Sequence, residues 1–281
     1  MGGLALSNIT IREGTWDRAE LQGSPAVEDY YFEDREYDVG ILLPTYCEEG
    51  NIGRLICEIE NLGLNSCILV VDDSSPDDTS NIVREAQKRF GNILLLNRPK
   101  KAGLGTAITD GFRTFLSLEK TPRYIVTMDA DYSHDPEYIP LLVSQVENSA
   151  DFAIGSRYCP GGETQNWGTS RLIISRVANF IASLLIGAEI RDYTSGFRCY
   201  SRKVLTNIIN DLHSQTYEIQ IETIRQTHTR GFKIKELPVT FINRKKGKSK
   251  LTFKEIKQFL SHILIIGKSN LTYKRKKRTY Q

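Results

Sequence analysis

Tyr124-Ile125-Val126-Thr127-Met128-Asp129-Ala130-Asp131-Tyr132-Ser133-His134-Asp135-Pro136 is the stretch whose reading decides the fold. Its first five residues form an apolar, strand-favouring run. The run ends in two aspartates one residue apart, and a turn closes at Pro136. In an open α/β sheet, ligands bind just beyond the carboxyl ends of the strands. Ionised carboxylates beside an apolar core are costly unless paired or metal-bound. Hard divalent cations take one or two carboxylates together with substrate phosphates. Asp129 and Asp131 at a strand end therefore suggest a metal-bridged diphosphate. The same residues also suit a helix cap followed by a solvated turn, so the flanking chain must decide.

Upstream, the same pattern recurs. Val39 to Leu43 is an apolar strand running into Pro44-Thr45-Tyr46-Cys47-Glu48-Glu49. Asn51 is placed to cap a helix with Ile52, Leu55, Ile56, Ile59 and Leu62 at helical spacing. Cys67 to Val71 is a second strand, ending in Asp72-Asp73-Ser74-Ser75-Pro76-Asp77. A helix from about Thr79 to Phe90 and a strand from Ile93 to Leu96 follow. Gly103-Leu104-Gly105 then leads into a helix from about Thr106 to Leu118. Strands alternating with helices imply a parallel sheet with right-handed crossovers. Three polar clusters at strand ends then converge on one edge of that sheet. No G-x-G-x-x-G follows the first strand, and no phosphate-binding G-x-x-x-x-G-K-[ST] is present.

Downstream, Asp151 to Tyr158 reads as a strand with Arg157 at its end, and Asn166 to Ser170 as a polar loop holding Trp167. Arg171 to Ile186 reads as a helix that is apolar nearly all round, with Arg171 and Ser175 on one face. Asp192 to Arg198 is a polar segment before a further helix. Tyr217 to Thr229 is a helix, and Phe232 to Phe241 is an edge strand because it contains Pro238. Arg244-Lys245-Lys246-Gly247-Lys248-Ser249-Lys250 is a basic loop, and Phe253 to Gly267 has an apolar face. Residues 1–37 read as an irregular N-terminal arm.

The bulk numbers set bounds. The 281 residues suffice for one large domain or two small ones, and 40% hydrophobic with 25% charged residues is ordinary for a globular protein. No uninterrupted apolar run has the length of a spanning helix, and residues 1–10 do not resemble a signal peptide. Five scattered cysteines without a CxxC suit reduced thiols rather than a disulfide framework or a zinc site. Thirteen Lys/Arg against one acid follow residue 243, leaving a net −9 for the rest of a chain whose total is +3. Such a basic end suits an anionic surface or substrate. It lacks the interleaved aromatics of a single-strand nucleic-acid platform, so no nucleic acid is expected.

As an ordered set, Pro44-Thr45-Tyr46-x-Glu48, Asp72-Asp73-Ser74-Ser75-Pro76-Asp77, Gly103-Leu104-Gly105, Met128-Asp129-Ala130-Asp131, Gly155-Ser156-Arg157-Tyr158, Thr194-Ser195-Gly196-Phe197-Arg198 and Arg244-x-x-Gly247-x-Ser249-Lys250 are highly specific. The chain resembles the family-2 inverting glycosyltransferases over roughly residues 38 to 265. Within them it is similar to the dolichyl-phosphate mannose synthases that lack fused transmembrane helices.

The resemblance implies an α/β GT-A fold, a Rossmann-like, mostly parallel sheet flanked by helices. The catalytic domain would span 38–252, with an amphipathic helix and basic tail at 253–281 against a membrane surface. It implies GDP-mannose held by Pro44, Tyr46, Glu48, Val71, Asp73, Asp129, Ala130, Asp131, Arg244 and Lys250. Mg²⁺ or Mn²⁺ would be held by Asp129, Asp131 and Ser133, with Asp131 the direct ligand. Many relatives carry Gln where Ser133 stands, and Asn where Cys47 stands. The acceptor would be a polyprenyl or dolichyl phosphate gripped by Arg157, Arg171, Ser175 and Arg244. Asp129, Asp131, Arg157 and Arg244 would carry the catalysis, with Lys250 beside the donor diphosphate. A phosphate acceptor is already anionic, so no general base is needed, and Asp192 is expected to partner an arginine. The implied location is peripheral, on the cytoplasmic face of a membrane, with room for a small membrane-anchoring partner subunit. The alternatives are a UDP-sugar-dependent glucosyl- or N-acetylhexosaminyltransferase acting on a polyprenyl phosphate, and a non-catalytic nucleotide-sugar binding protein.

Overall fold

Runs such as Ile41-Leu42-Leu43 and Ile68-Leu69-Val70-Val71 have no polar face to offer water, so both sides must be covered. The computed structural model describes residues 26–29, 31–33 and 35–243 and achieves this with three layers. The first half runs Ala26–Glu28 (β1), Val39–Thr45 (β2), Ile52–Glu60 (α1), Ser66–Asp72 (β3), Thr79–Arg89 (α2), Ile93–Asn97 (β4), Leu104–Ser117 (α3) and Tyr124–Thr127 (β5). The second half runs Ile139–Ser149 (α4), Phe152–Ser156 (β6), Glu163–Gln165 (β7), Thr169–Ile186 (α5), Arg198–Ser201 (β8), Arg202–Ile208 (α6), Ile219–Thr229 (α7), Ile234–Pro238 (β9) and Thr240–Ile242 (β10).

Eight strands form one sheet in the order β1-β4-β3-β2-β5-β8-β6-β9. Alternate residues supply two cores. Leu42, Leu69, Val71, Leu94 and Ile125 pack with residues of α3, α6 and α7. Ile41, Leu43, Ile68, Val70 and Val126 pack with residues of α1, α2 and α4. Each fully buried Leu or Ile contributes about 1.5–3 kcal/mol, which fixes the register: a one-residue slip would exchange the two faces.

The sheet is mostly parallel, as expected, and three features depart from the sequence reading. β8 is antiparallel to both β5 and β6, with Arg198 opposite Thr127 and Ile154. Arg198 hides this strand in the sequence, because a charged residue is a poor marker of a wholly buried position. Part of the N-terminal arm is regular, since β1 pairs antiparallel with β4. Arg84 anchors it with two bonds of 2.8 Å to Glu28. The segment after Lys233 divides at Pro238 into β9, the sheet edge beside β6, and β10, which pairs with β7 in a separate parallel ribbon.

Because β2, β3, β5 and β6 point the same way, the loops after Thr45, Asp72, Thr127 and Ser156 share one rim. The antiparallel β8 starts there too, so the loop 192–197 arrives at the same place. The non-glycine residues with positive φ among those described are Cys47, Ser74, Tyr132 and Asn166, each in a loop after a strand of this region. Such strain clusters at functional sites.

Candidate active site

At the rim lies a cavity of about 200 Å³. It is lined by Pro44, Tyr46 and Glu48 after β2, Asp73 after β3, and Asp129, Ala130 and Asp131 after β5. Arg171 from the first turn of α5 also faces it. Eight residues singled out from the sequence therefore meet in one place. Val71 does not: its side chain is wholly buried in the sheet core, and its carbonyl accepts from Thr45 Oγ1 at 3.4 Å. Ser175 is held by Tyr158, whose hydroxyl lies 2.8 Å from Ser175 Oγ. Arg244 and Lys250 lie outside the described residues, as do residues 1–25 and the segment 253–281.

Asp73 lines the cavity and also builds it. Its Oδ1 accepts from Arg98 Nη1 and the Ala102 amide at 2.9 Å each, and its Oδ2 from the Gly103 amide at 2.9 Å. These bonds fix the turn before α3, where Gly103 has φ +104. The opposite wall comes from Thr216 and Tyr217, far along the chain. Their loop is clamped by Glu222, which accepts from the His213 and Ser214 amides, and by Glu218, which accepts from the Gln215 and Thr216 amides. Gly105 donates its N–H to Gln215 O at 2.9 Å, and a Cβ there would meet Ser214 O at 2.4 Å. Only glycine allows that approach. Lys101, Thr216, Tyr217 and Phe241 line the cavity without any sequence signal that separates them from ordinary surface residues. Lys101 Nζ lies 3.4 Å from the Tyr46 ring centroid.

The aspartate loop is held from below. His134 Nδ1 accepts the Asp129 N–H at 3.1 Å, and the Ser133 amide donates to Asp131 Oδ1 at 3.0 Å. His134 stacks on Phe197 and meets the edge of Phe241. Burial pushes its pKa down to about 4, with Asp131 opposing the shift and Arg157 adding to it. It is thus a neutral acceptor at ordinary pH. Asp131 is 9% exposed and Ser133 2%, while the Asp129 side chain is 39% exposed. Ser133 Oγ is buried with no hydrogen-bond partner. Among the described residues no group of three or more His, Cys, Asp or Glu is arranged to hold a metal ion.

On the other side of the loop, Arg157 is 7% exposed and bonded through two nitrogens to Asp192. Asp192 also accepts the amides of Arg157, Thr194 and Ser195. Burial alone would raise the Asp192 carboxyl, but Arg157 outweighs it and holds the pKa below its usual value. The expectation that Asp192 partners an arginine holds. Arg198, wholly buried, binds the carbonyls of Tyr193, Ser195 and Gln220 and ties this loop to α7. Burial pushes its pKa down. Arg171 donates to Asn243 Oδ1 at 2.9 Å and packs over Trp167.

α5 carries one more feature. Ile173, Ile174, Val177, Phe180 and Leu184 are 46% to 69% exposed along it, while Ala178, Asn179 and Ala182 face the domain. By length and composition the helix could cross a membrane, although no unbroken apolar run announces it in the sequence.

Comparison with known proteins agrees with this architecture. The chain is 38% identical over 220 residues to the polyprenol monophosphomannose synthase of Mycolicibacterium smegmatis, covering 78% of this chain and 82% of that one. It is 35% identical over 229 residues to the dolichol-phosphate mannosyltransferase of Pyrococcus furiosus, covering 80% of this chain and 62% of that longer protein. Among solved structures, glucosyl-3-phosphoglycerate synthase from Mycobacterium tuberculosis, in complex with Mn²⁺, UDP and phosphoglyceric acid, superposes with a TM-score of 0.63. That match is 17% identical and covers 82% of this chain and 78% of that one, giving the GT-A fold. The family model for glycosyl transferase family 2 matches residues 40–209, and the chain therefore belongs to that family and is a glycosyltransferase.

Proposed function

We propose that the enzyme transfers mannose from GDP-mannose to a polyprenyl phosphate of the dolichyl type, with inversion at the anomeric carbon and a divalent cation, Mg²⁺ or Mn²⁺. The observation that carries this reading is the meeting of Asp129, Asp131 and Arg171 with the Tyr46–Glu48 turn around one cavity. The carboxylates suit a cation and diphosphate, and the guanidinium suits a second phosphate. The names of the two curated relatives supply the sugar and the acceptor class.

The residues present fit a cation. Two carboxylates follow β5, and the buried, unpartnered Ser133 hydroxyl lies next to them. An incomplete protein ligand set suits an ion that completes its shell with substrate phosphate oxygens. When bound, the cation offsets charge on the departing diphosphate. His134 and the Ser133 amide hold the aspartates in place. Arg157, oriented by Asp192, and Arg171 would bind the acceptor phosphate, whose oxygen attacks the anomeric carbon. A phosphate monoester is already ionised, so no side chain need remove a proton. Asp192, already bonded to Arg157, serves as an orienting partner.

The exposed apolar face of α5 begins at Ile173, two residues beyond Arg171, which supports a peripheral membrane location near a lipid-linked acceptor. The test is transfer of radiolabelled mannose from GDP-mannose to dolichyl phosphate in detergent, with cation or chelator and with UDP-glucose in parallel. Cation-dependent mannolipid is expected. Product from UDP-glucose alone would discard mannose and keep the acceptor. No lipid product from either donor would overturn the reading.

A further inference from the structure

Two guanidiniums pack on one indole. Arg171 Cζ lies 4.3 Å from the Trp167 ring centroid and Arg157 Cζ lies 5.2 Å from it. Phe241 meets the same ring edge-on at 5.3 Å. The loop that carries Trp167 is built to hold it there. Asn166 takes a positive φ of 61°, a conformation asparagine tolerates better than most non-glycine residues, and bonds from Asn243 brace it there. Asn243 Nδ2 donates to Asn166 O at 3.0 Å, its N–H donates to Gln165 O at 3.0 Å, and its Oδ1 accepts from Arg171.

Two like charges would separate unless something held them. Asp192 engages Nε and Nη2 of Arg157. The negative face of the indole attracts both cations. Packing on a ring face leaves the edges of a guanidinium to meet an anion, and with Asp192 on the Nε–Nη2 edge of Arg157 a phosphate would approach that group from its Nη1 side. The indole Nε1 is buried and has no hydrogen-bond partner, so the ring is not placed here to satisfy its own polar atom.

We infer that Trp167 is a positioning residue for the acceptor phosphate, holding the Arg157 and Arg171 guanidiniums together as one anion-binding pair. This rests on the polyprenyl-phosphate reading above. A ring that served only to pack β7 against β10 would affect folding and both substrates alike. A ring that sets the arginines affects the acceptor alone.

The experiment uses the full chain with GDP-mannose and farnesyl phosphate below its critical micelle concentration. Trp167→Leu is expected to raise the KM for farnesyl phosphate about tenfold, and Trp167→Phe about threefold. The KM for GDP-mannose and the melting temperature are expected to stay at wild-type values. The chain has two tryptophans, so Trp16→Phe leaves Trp167 as the sole indole. Its emission is expected to shift with farnesyl phosphate, and with inorganic phosphate at higher concentration, but not with farnesol. An unchanged acceptor KM, an equal rise in both KM values, or an equal shift with farnesol would overturn the inference while the functional reading stands. A wild-type enzyme that uses no isoprenyl phosphate at all would overturn both.

Discussion

Arg157 and Asp192, 35 residues apart, form a two-pronged pair with both contacts at 2.7 Å, and the Arg157 amide donates to the same carboxylate at 3.0 Å. One carboxylate thus fixes both the backbone and the side chain at the end of β6. Removing one partner of a buried pair leaves the other charged and unpaired, at a cost of about 3–5 kcal/mol. Asp192→Ala is expected to lose about that much stability in urea unfolding, and Arg157→Met with Asp192→Leu distinctly less. The Asp192 pKa is depressed in the folded state. Its contribution is therefore full above the ordinary aspartate range and is lost as pH falls below about 4.

His134 makes stability acid-sensitive in a different window. Its pKa falls to about 4 on folding, so between that value and about 6.5 the unfolded chain binds the extra proton. Stability is full above about 6.5 and declines as pH falls, with a slope approaching 1.4 kcal/mol per pH unit for one proton. A His134→Phe variant should show a flatter stability profile from pH 6.5 to 4 by urea unfolding.

Gly105 tests the seam between α3 and the 213–217 loop. Gly105→Ala sets a Cβ against three backbone atoms of that loop, the farthest at 2.8 Å. Overpacking of this kind costs about 1–3 kcal/mol. The expected result is a lower melting temperature together with a higher KM for GDP-mannose, since Thr216 and Tyr217 move with the loop.

Asp131 is the residue on which a cation would depend most. Asp131→Ala is expected to lower kcat about a thousandfold, in keeping with the several kcal/mol a bound cation supplies. Chelator should abolish transfer by the wild type, and added Mn²⁺ or Mg²⁺ should restore it.

The exposed face of α5 can be tested apart from the chemistry. Phe180→Glu with Leu184→Glu is expected to abolish sedimentation with vesicles containing anionic lipid. Transfer to water-soluble farnesyl phosphate should continue at the wild-type rate.

The first half of the site is legible in the sequence because each strand there ends where its apolar run ends. The cavity residues Pro44, Tyr46, Glu48, Asp73, Asp129 and Asp131 follow directly from those ends. Val71 is the exception, since a residue one step inside the strand end is still core. The second half is harder to read. Arg198 is both charged and wholly buried, so β8 lacks the apolar signature of a central strand. Thr216 and Tyr217 reach the cavity only because Glu218 and Glu222 fold their loop back onto Gly105, and no local period records such a contact. The arm before residue 38 reads as irregular because β1 has three residues and is anchored by an ion pair from α2.

The strand order has a consequence for re-engineering. β5 divides the sheet, with β4, β3 and β2 on one flank and β8 and β6 on the other. These flanks are also contiguous in sequence, before and after residue 131. On the proposed function, donor preference would follow chiefly the first flank and acceptor preference the second, and a chimera that exchanges one flank tests this division. The two flanks meet along the β5–β8 pairing and again at the Gly105–Gln215 junction, where Thr216 and Tyr217 lend a wall to the cavity. A graft of residues 38–131 is expected to need both joints matched, or the recipient's cavity loses a wall.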